Sequence, residues 1–345
     1  MINAESTVAS DIAKILKDDF SLIQHESIIR RIKRLFTNKY FNPYDFYNGI
    51  IKYVISNYKL KHLDNRVHIV FDHMFSHDNY TVFMISMRIG KQGIPLWFRC
   101  FKGKNSTEAF KETLLKSGIS YVPSLFDSSF DLIFLDDRWF NSTSLMKHIE
   151  SLGHTYCIRL RENHKVLVYD KKEKHKIWKW VYDLQSYIYR PNYYKDILFT
   201  DKKFKTNIVI SKQYGYSEPW IIITNADSKR ALKDYSYRFG GIESIIKNQK
   251  SNGLYLESTV KASIKYFESM YSLACFSTLF LTILGADYSK NTKCYKNVKI
   301  TTHKKINGVK KRVMSLFNTG LTLFHLAFNS LRYIRLPFSF MLYDI

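Results

Sequence analysis

Two apolar runs end in aspartate, and a third carboxylate sits in a segment crowded with cations. VHIVFD closes on Asp72, and DLIFLDD closes on Asp137, with Arg-Trp-Phe directly after it. A carboxylate that ends an apolar strand lies at the rim of a sheet, where the sites of α/β folds gather. Either Asp taken alone could instead cap a turn or the next helix. The third segment is YSYRFGGIESIIKNQKSNG. Its Glu243, Lys247 and Lys250 fall at i, i+4 and i+7 and share one helix face. By themselves they could form an ordinary surface Glu–Lys pair. Together with Tyr235 and Arg238 they offer one carboxylate, three cations and an aromatic. That set suits a metal ion bound beside a phosphodiester.

The surrounding sequence indicates how such residues could be positioned. Residues 1–60 read as helical: apolar residues recur at helical spacing in DIAKILKDDF, SIIRRIKRLF is basic and amphipathic, and NPYDFYNGIIKYVISNY follows. This module could bind duplex DNA or serve only for packing. From residue 66, VHIVFDHM, YTVFMISMRI and IPLWFRCF predict an antiparallel meander. A helix around TEAFKETLLKSG precedes DLIFLDD, whose near-continuous apolar run predicts a buried central strand. STSLMKHIESLG predicts a helix and YCIRLR a strand. Residues 163–215 are rich in Lys, Tyr and Trp and predict a β-rich insertion. EPWIIITN returns as a core strand, and the remainder is α-rich. Residues 290–312 hold nine Lys or Arg and no acidic residue, as a phosphate-contacting or disordered segment would.

Composition narrows the class. The 345 residues are 46% hydrophobic and 16% aromatic, which excludes global disorder and suits two or three modules. The formal net charge is +23, which points to a polyanionic partner, nucleic acid or an anionic membrane. Cys100, Cys157, Cys275 and Cys294 form no CxxC pair, so reduced, buried thiols are expected. The N-terminal residues lack a basic segment followed by an apolar run, so no signal peptide is expected. Residues 269–286 carry no charge over 18 positions, just long enough to be a membrane span. Five of them are Ser or Thr, and a charged helical stretch precedes them, so a buried core helix is expected.

Three motifs, in this order, resemble those of DDE transposases of the IS4 insertion-sequence family. They are IVFDHMFSHDNYTVFMIS with KQGIPLWF, then DDRWF, then YSYRFGGIESIIKNQKSNGLYLEST. The last resembles the family's Tyr-Arg-Glu-Lys signature, in which two, three and six residues separate the four. Here the intervals are two, four and six, the extra residue lying in the Gly240-Gly241 pair. DRWF also departs from the commoner Asp-Arg-Gly-Phe. The resemblance covers roughly residues 60–320. It implies an α/β fold: a ribonuclease-H-like mixed sheet flanked by helices, with a β-rich insertion and helical N- and C-terminal parts. With the elements read above, the expected division is a helical, DNA-binding part over 1–60, a catalytic domain over 61–289 and a basic segment with a helix over 290–345.

The same resemblance implies Asp72, Asp137 and Glu243 as catalytic residues and metal ligands. Three carboxylates can hold two Mg²⁺ about 3.5–4 Å apart, with Mn²⁺ as a substitute. Asp136 is the chief rival to Asp137; alternation along a strand puts the two on opposite faces, so only one can serve, and the resemblance selects Asp137. Asp78 and Asp131 are lesser rivals. Tyr235, Arg238, Lys250 and, by extension, Lys247 would contact phosphates. Trp220 would stack on a flipped base, or else is a core residue at a strand start; Trp178 and Trp180 are alternates. The implied activity is binding of terminal inverted repeats, metal-dependent cleavage at element ends and joining of 3′-hydroxyls to target DNA. The alternative is a catalytically inactive or domesticated DNA-binding derivative. Double-stranded DNA as partner, a homodimer on paired ends, no membrane, and a bacterial cytoplasmic location at the nucleoid complete the expectation.

Overall fold

The structure is a computed structural model that describes residues 1–329 except 20–22, 58–64, 77–78, 105, 141, 171, 185–189, 201–202, 213–217, 252, 259–262, 291–294, 296–297 and 307–308. Asp78, Cys294, parts of the insertion and of the basic stretch, and the last sixteen positions lie outside the described residues.

Three helices come first: α1 (Ala9–Asp19), α2 (His25–Phe36) and α3 (Pro43–Asn57). Ile28, Ile32 and Phe36 form the buried stripe of α2, at the spacing the amphipathic pattern predicts. Asn42 caps α3, its side-chain oxygen accepting from the Tyr44 N–H at 3.0 Å. Tyr47 is buried on α3 and donates its hydroxyl hydrogen to the Pro95 carbonyl at 2.6 Å. These helices share one continuous apolar core with the sheet.

The sheet begins with the meander β1 (Arg66–Ser76), β2 (Tyr80–Ile89) and β3 (Gln92–Lys102), paired antiparallel. Helix α4 (Glu112–Tyr121) leads to β4 (Asp131–Asp136), which lies parallel to β1. Helix α5 (Thr143–Ser151) leads to β5 (Thr155–Arg159), parallel to β4. The insertion supplies β6 (Lys165–Asp170), β7 (His175–Trp180), β8 (Asn192–Phe199) and β9 (Phe204–Ser211). Strand β10 (Trp220–Thr224) runs antiparallel between β5 and β9. The ten strands form one sheet in the order β3-β2-β1-β4-β5-β10-β9-β8-β6-β7. The insertion therefore prolongs the same sheet on the far side of β10. Strands β2 and β4 are buried almost throughout and β1 over Val67–Phe71, as strands covered on both faces must be.

The α-rich end contains α6 (Ser228–Ser236), α7 (Ile242–Lys250), α8 (Ile264–Lys290), the short hairpin β11 (His303–Ile306) and β12 (Val309–Arg312), and α9 (Leu316–Asn329). Helix α8 contains the uncharged 269–286 run, and it is long and apolar enough to cross a membrane by length and composition. Here most of that run is buried against α3, β3, α7 and α9, as expected for a core helix. Its Ser269, Ser277 and Thr278 hydroxyls donate to carbonyls four residues back, which satisfies them inside the apolar layer.

Helices α8 and α9 meet backbone to backbone at a glycine pair. A Cβ on Gly285 would lie 1.9 Å from the Leu316 carbonyl oxygen, and one on Gly320 1.9 Å from that of Leu281. Neither backbone can yield without moving a helix. Gly285→Ala and Gly320→Ala should each cost about 3 kcal/mol, at the upper end for forced overpacking. Urea midpoints of the two variants against the parent protein check this.

Candidate active site

The parallel register of β1 and β4 sets the site. Val70 pairs with Leu135, and two residues further along each chain come Asp72 and Asp137. The two carboxylates therefore reach the same level of the sheet. Glu243 comes from the first turn of α7. These three, far apart in sequence, meet at a single side chain, Arg238. Its Nη2 lies 3.3 Å from Asp72 Oδ2 and 3.7 Å from Asp137 Oδ2, and its Nη1 lies 3.4 Å from Glu243 Oε1. Arg238 is 8% exposed.

Several local features aim that guanidinium. Asp227 caps α6 by accepting from the Lys229 N–H at 3.2 Å. Near the end of α6, buried Asp234 pairs with His68 at 3.1 Å and with Arg66 at 3.2 Å, both on β1. Tyr237 packs its ring against His68, with centroids 4.4 Å apart, and carries the Arg88 guanidinium 4.4 Å from its centroid. The helix end is thus fixed to β1, and the next residue, Arg238, faces Asp72. The chain then turns through Gly240, whose φ of +83° suits glycine. The Gly240 N–H donates to Glu243 Oε2 at 3.0 Å, which holds the carboxylate over the turn. Ser244 ties the start of α7 to β3: its Oγ accepts from the Gly93 N–H at 3.0 Å and donates to the Gly241 carbonyl at 2.6 Å. Further along α7, buried Gln249 accepts from the Tyr271 hydroxyl of α8 at 3.0 Å.

His73 anchors the chain just after Asp72. Its ring stacks on Phe110 and Phe140, with centroids 3.9 and 5.0 Å away, and its Nε2 meets the Ala109 carbonyl at 2.8 Å. Burial lowers its pKa to about 4, so at neutral pH the ring is uncharged and Nε2–H donates to that carbonyl. Phe140 follows Asp137 by three residues, so His73 also ties the two acidic rims together.

The electrostatics are those of crowded carboxylates around one cation. Burial raises the Asp72 carboxyl above its ordinary value; Arg238 and the His73 N–H oppose this, while Asp137 and Glu243 add to it. Burial works against the Arg238 charge, yet Tyr235, Asp136, Asp72 and Asp137 raise its value on balance. Asp136 belongs to the same cluster. It is fully buried, its Oδ1 accepts from the Asp137 N–H at 2.6 Å, and its Oδ2 has no hydrogen-bond partner among the described residues. Burial, reinforced by Asp72, pushes it well above the carboxylate range, Arg238 opposing. Sequence alternation separates Asp136 from Asp137, but β4 ends at Asp136 and the chain turns there, and Asp136 feels Asp72, Arg238 and Asp137. Asp131 is at the other end of β4, paired with Arg66 at 3.3 Å.

The other predicted residues divide. Tyr235 is 1% exposed and packs edge-on against Trp220, with centroids 5.5 Å apart. Burial raises the pKa of its hydroxyl, which feels Arg238, Asp137 and Asp136. Trp220 is half-buried and stacks on Phe239 at 5.3 Å, so it lines the turn that carries Arg238. Lys247 is exposed on α7 beyond Glu243, and Lys250 pairs with Glu257 at 2.9 Å. Trp178 and Trp180 lie on β7, well out in the insertion. Among the described residues, no three His, Cys, Asp or Glu side chains stand close enough to share one ion as arranged here. Arg238 lies among the carboxylates instead.

No protein-family model and no curated protein matches the sequence. Among solved structures, the chain is similar to a piggyBac transposase in its synaptic complex with hairpin DNA. The TM-score is 0.38 at 11% identity, over 78% of this chain and 55% of that one. It is also similar to Marinitoga piezophila Argonaute in complex with guide RNA and target DNA. There the TM-score is 0.22 at 16% identity, over 52% of this chain and 26% of that one. This chain spans about half the length of the transposase. Both likenesses are loose.

Replacing Arg238 tests the cluster. Arg238→Met leaves the carboxylates without their shared cation and should destabilise the metal-free protein by about 2–3 kcal/mol. That is less than for a sealed pair, because Glu243 and Asp137 are partly solvated. Arg238→Lys should recover only part of the loss, since one ammonium cannot span three carboxylates. Denaturant midpoints in chelator-containing buffer check both.

Proposed function

We propose that this chain is a DDE-type DNA transposase with a ribonuclease-H-like core, similar to those of the IS4 insertion-sequence family. One observation carries the reading. Asp72, Asp137 and Glu243, the acidic residues of the three sequence motifs, come from three separate elements and converge on one guanidinium. Sheet order supports it: an antiparallel meander whose first strand lies parallel to β4, followed by β5, is the arrangement a ribonuclease-H-like core would have. The net charge of +23 suits a DNA partner.

The donor set fits Mg²⁺ or Mn²⁺ by type, because carboxylate oxygens are the hard ligands these ions take. Asp72, Asp137 and Glu243 would hold the ions, which would activate water or a 3′-hydroxyl and stabilise the leaving oxygen. The protein's own residues do the rest. Arg238 supplies the counter-charge that keeps three carboxylates together without metal. Lys247 and Lys250 put two cations on the face of α7 that also carries Glu243, where backbone phosphates would lie. His73, neutral and clamped between two rings, keeps the Asp72 backbone in place. The paired ends of an element would call for two copies of the chain.

A DNA-binding protein without catalysis is the second reading, and one feature favours it: Arg238 already stands among the three carboxylates and offsets part of their charge. Strand cleavage separates the two. A labelled duplex carrying the element's end sequence should be nicked with Mg²⁺ or Mn²⁺ and left intact with chelator. Asp72→Ala, Asp137→Ala and Glu243→Ala should each lower the rate by about 10³-fold or more, roughly 4 kcal/mol of barrier. Binding without cleavage by the parent protein would select the second reading. Undiminished cleavage in all three variants would remove the triad.

A further inference from the structure

Directly after Asp137 the chain presents Arg138 and then Trp139, a residue 71% exposed. That is the most exposed tryptophan among the described residues. It stands where the related motif has glycine, so nothing in the shared pattern accounts for it. The ring is not loose: the Arg161 guanidinium lies 4.7 Å from its centroid, a cation–π contact that steadies the indole and leaves most of it in solvent.

A cleft of about 360 Å³ opens beside it, lined by Arg138, Arg159, Arg161, Glu162 and Glu218 among others. The Glu218 carboxylate grips two of the arginines with one oxygen. Its Oε2 accepts from Arg138 Nη2 at 2.8 Å and from Arg159 Nη2 at 3.1 Å. Two guanidiniums converging on one anionic oxygen is also how a phosphate is held. Arg138 Nε stands 4.0 Å from Asp137 Oδ1, so this cleft borders the second carboxylate of the candidate site. The volume is at the lower end of small-ligand sites, room for one nucleotide rather than a duplex.

We infer that Trp139 and the Arg138–Arg159 pair form a subsite for a single unpaired nucleotide at the catalytic rim. The base stacks on the indole, and its phosphate takes the place of the Glu218 carboxylate between the guanidiniums. The base must be unpaired and unstacked to offer its face, which every base can do regardless of sequence. The inference rests on the reading of the chain as a DNA-processing enzyme.

The test is fluorescence anisotropy in chelator, with the full chain and three probes: a blunt duplex, the same duplex with a short 3′ tail, and that tail made abasic. The parent protein should bind the base-bearing tail about tenfold more tightly than the abasic one. Trp139→Ala should bring that ratio close to one, and Trp139→Phe, which keeps an aromatic face, should restore most of it. Glu218→Gln, which frees the two guanidiniums, should tighten binding of both tailed probes about threefold. A parent protein that binds all three probes yet ignores the base, or a Trp139→Ala variant that keeps the full ratio, overturns the subsite while leaving the DNA-processing reading standing. A parent protein that binds none of the probes overturns both.

Discussion

Three carboxylates share one guanidinium. Carboxylates brought from β1, the end of β4 and α7 repel one another and resist burial, so a site that gathers them needs positive charge from the outset. Arg238 provides it, and the surrounding structure serves to hold Arg238 where it is. Asp234 fixes α6 to β1 through His68 and Arg66. Gly240 turns the chain and secures Glu243. Ser244 and Gln249 tie α7 to β3 and α8. A buried, partly hydrogen-bonded ion cluster is poor as a source of stability. It is better suited to fixing geometry, with Arg238 as the cation that the three carboxylates share.

The sheet explains why such distant residues can meet. Parallel pairing of β1 and β4 brings Asp72 and Asp137 to one level, and it requires the helix-containing crossover between them. The aromatic clamp on His73 then joins the two rims from beneath, through Phe110 and Phe140. On the outer side, Trp220, Tyr235 and Phe239 wall the turn that carries Arg238. Asp72, Asp136, Asp137 and Glu243 thus gather at one place in a protein that as a whole carries +23.

Much of this was legible in the sequence because period and punctuation are local signals. The apolar runs that end at Asp72 and Asp137, the meander, the central strand and the helix bearing Glu243, Lys247 and Lys250 all follow from residue spacing. Non-local features were not legible. No pattern in residues 163–215 reveals that their strands join the main sheet beyond β10, because pairing order depends on partners far away in the chain. Nor does the Tyr-Arg-Glu-Lys spacing reveal that Arg238 faces carboxylates; the turn at Gly240 decides that. Tyr235, read as a phosphate contact, is buried beside Trp220 because α6 lies flat against the sheet. Asp136, read as a rival to Asp137 on the opposite face, joins the same cluster because the strand stops there. Trp139 gave no signal beyond its departure from the expected glycine.

The central claim is that Asp72 and Arg238 interact directly as part of one cluster. A double-mutant cycle on stability, with Arg238→Met, Asp72→Asn and the pair, measured by denaturant unfolding in metal-free buffer, tests it most directly. The structure predicts a coupling energy of about 1–3 kcal/mol. Effects that add to within about 0.5 kcal/mol would contradict it, because residues that add so closely share no interaction.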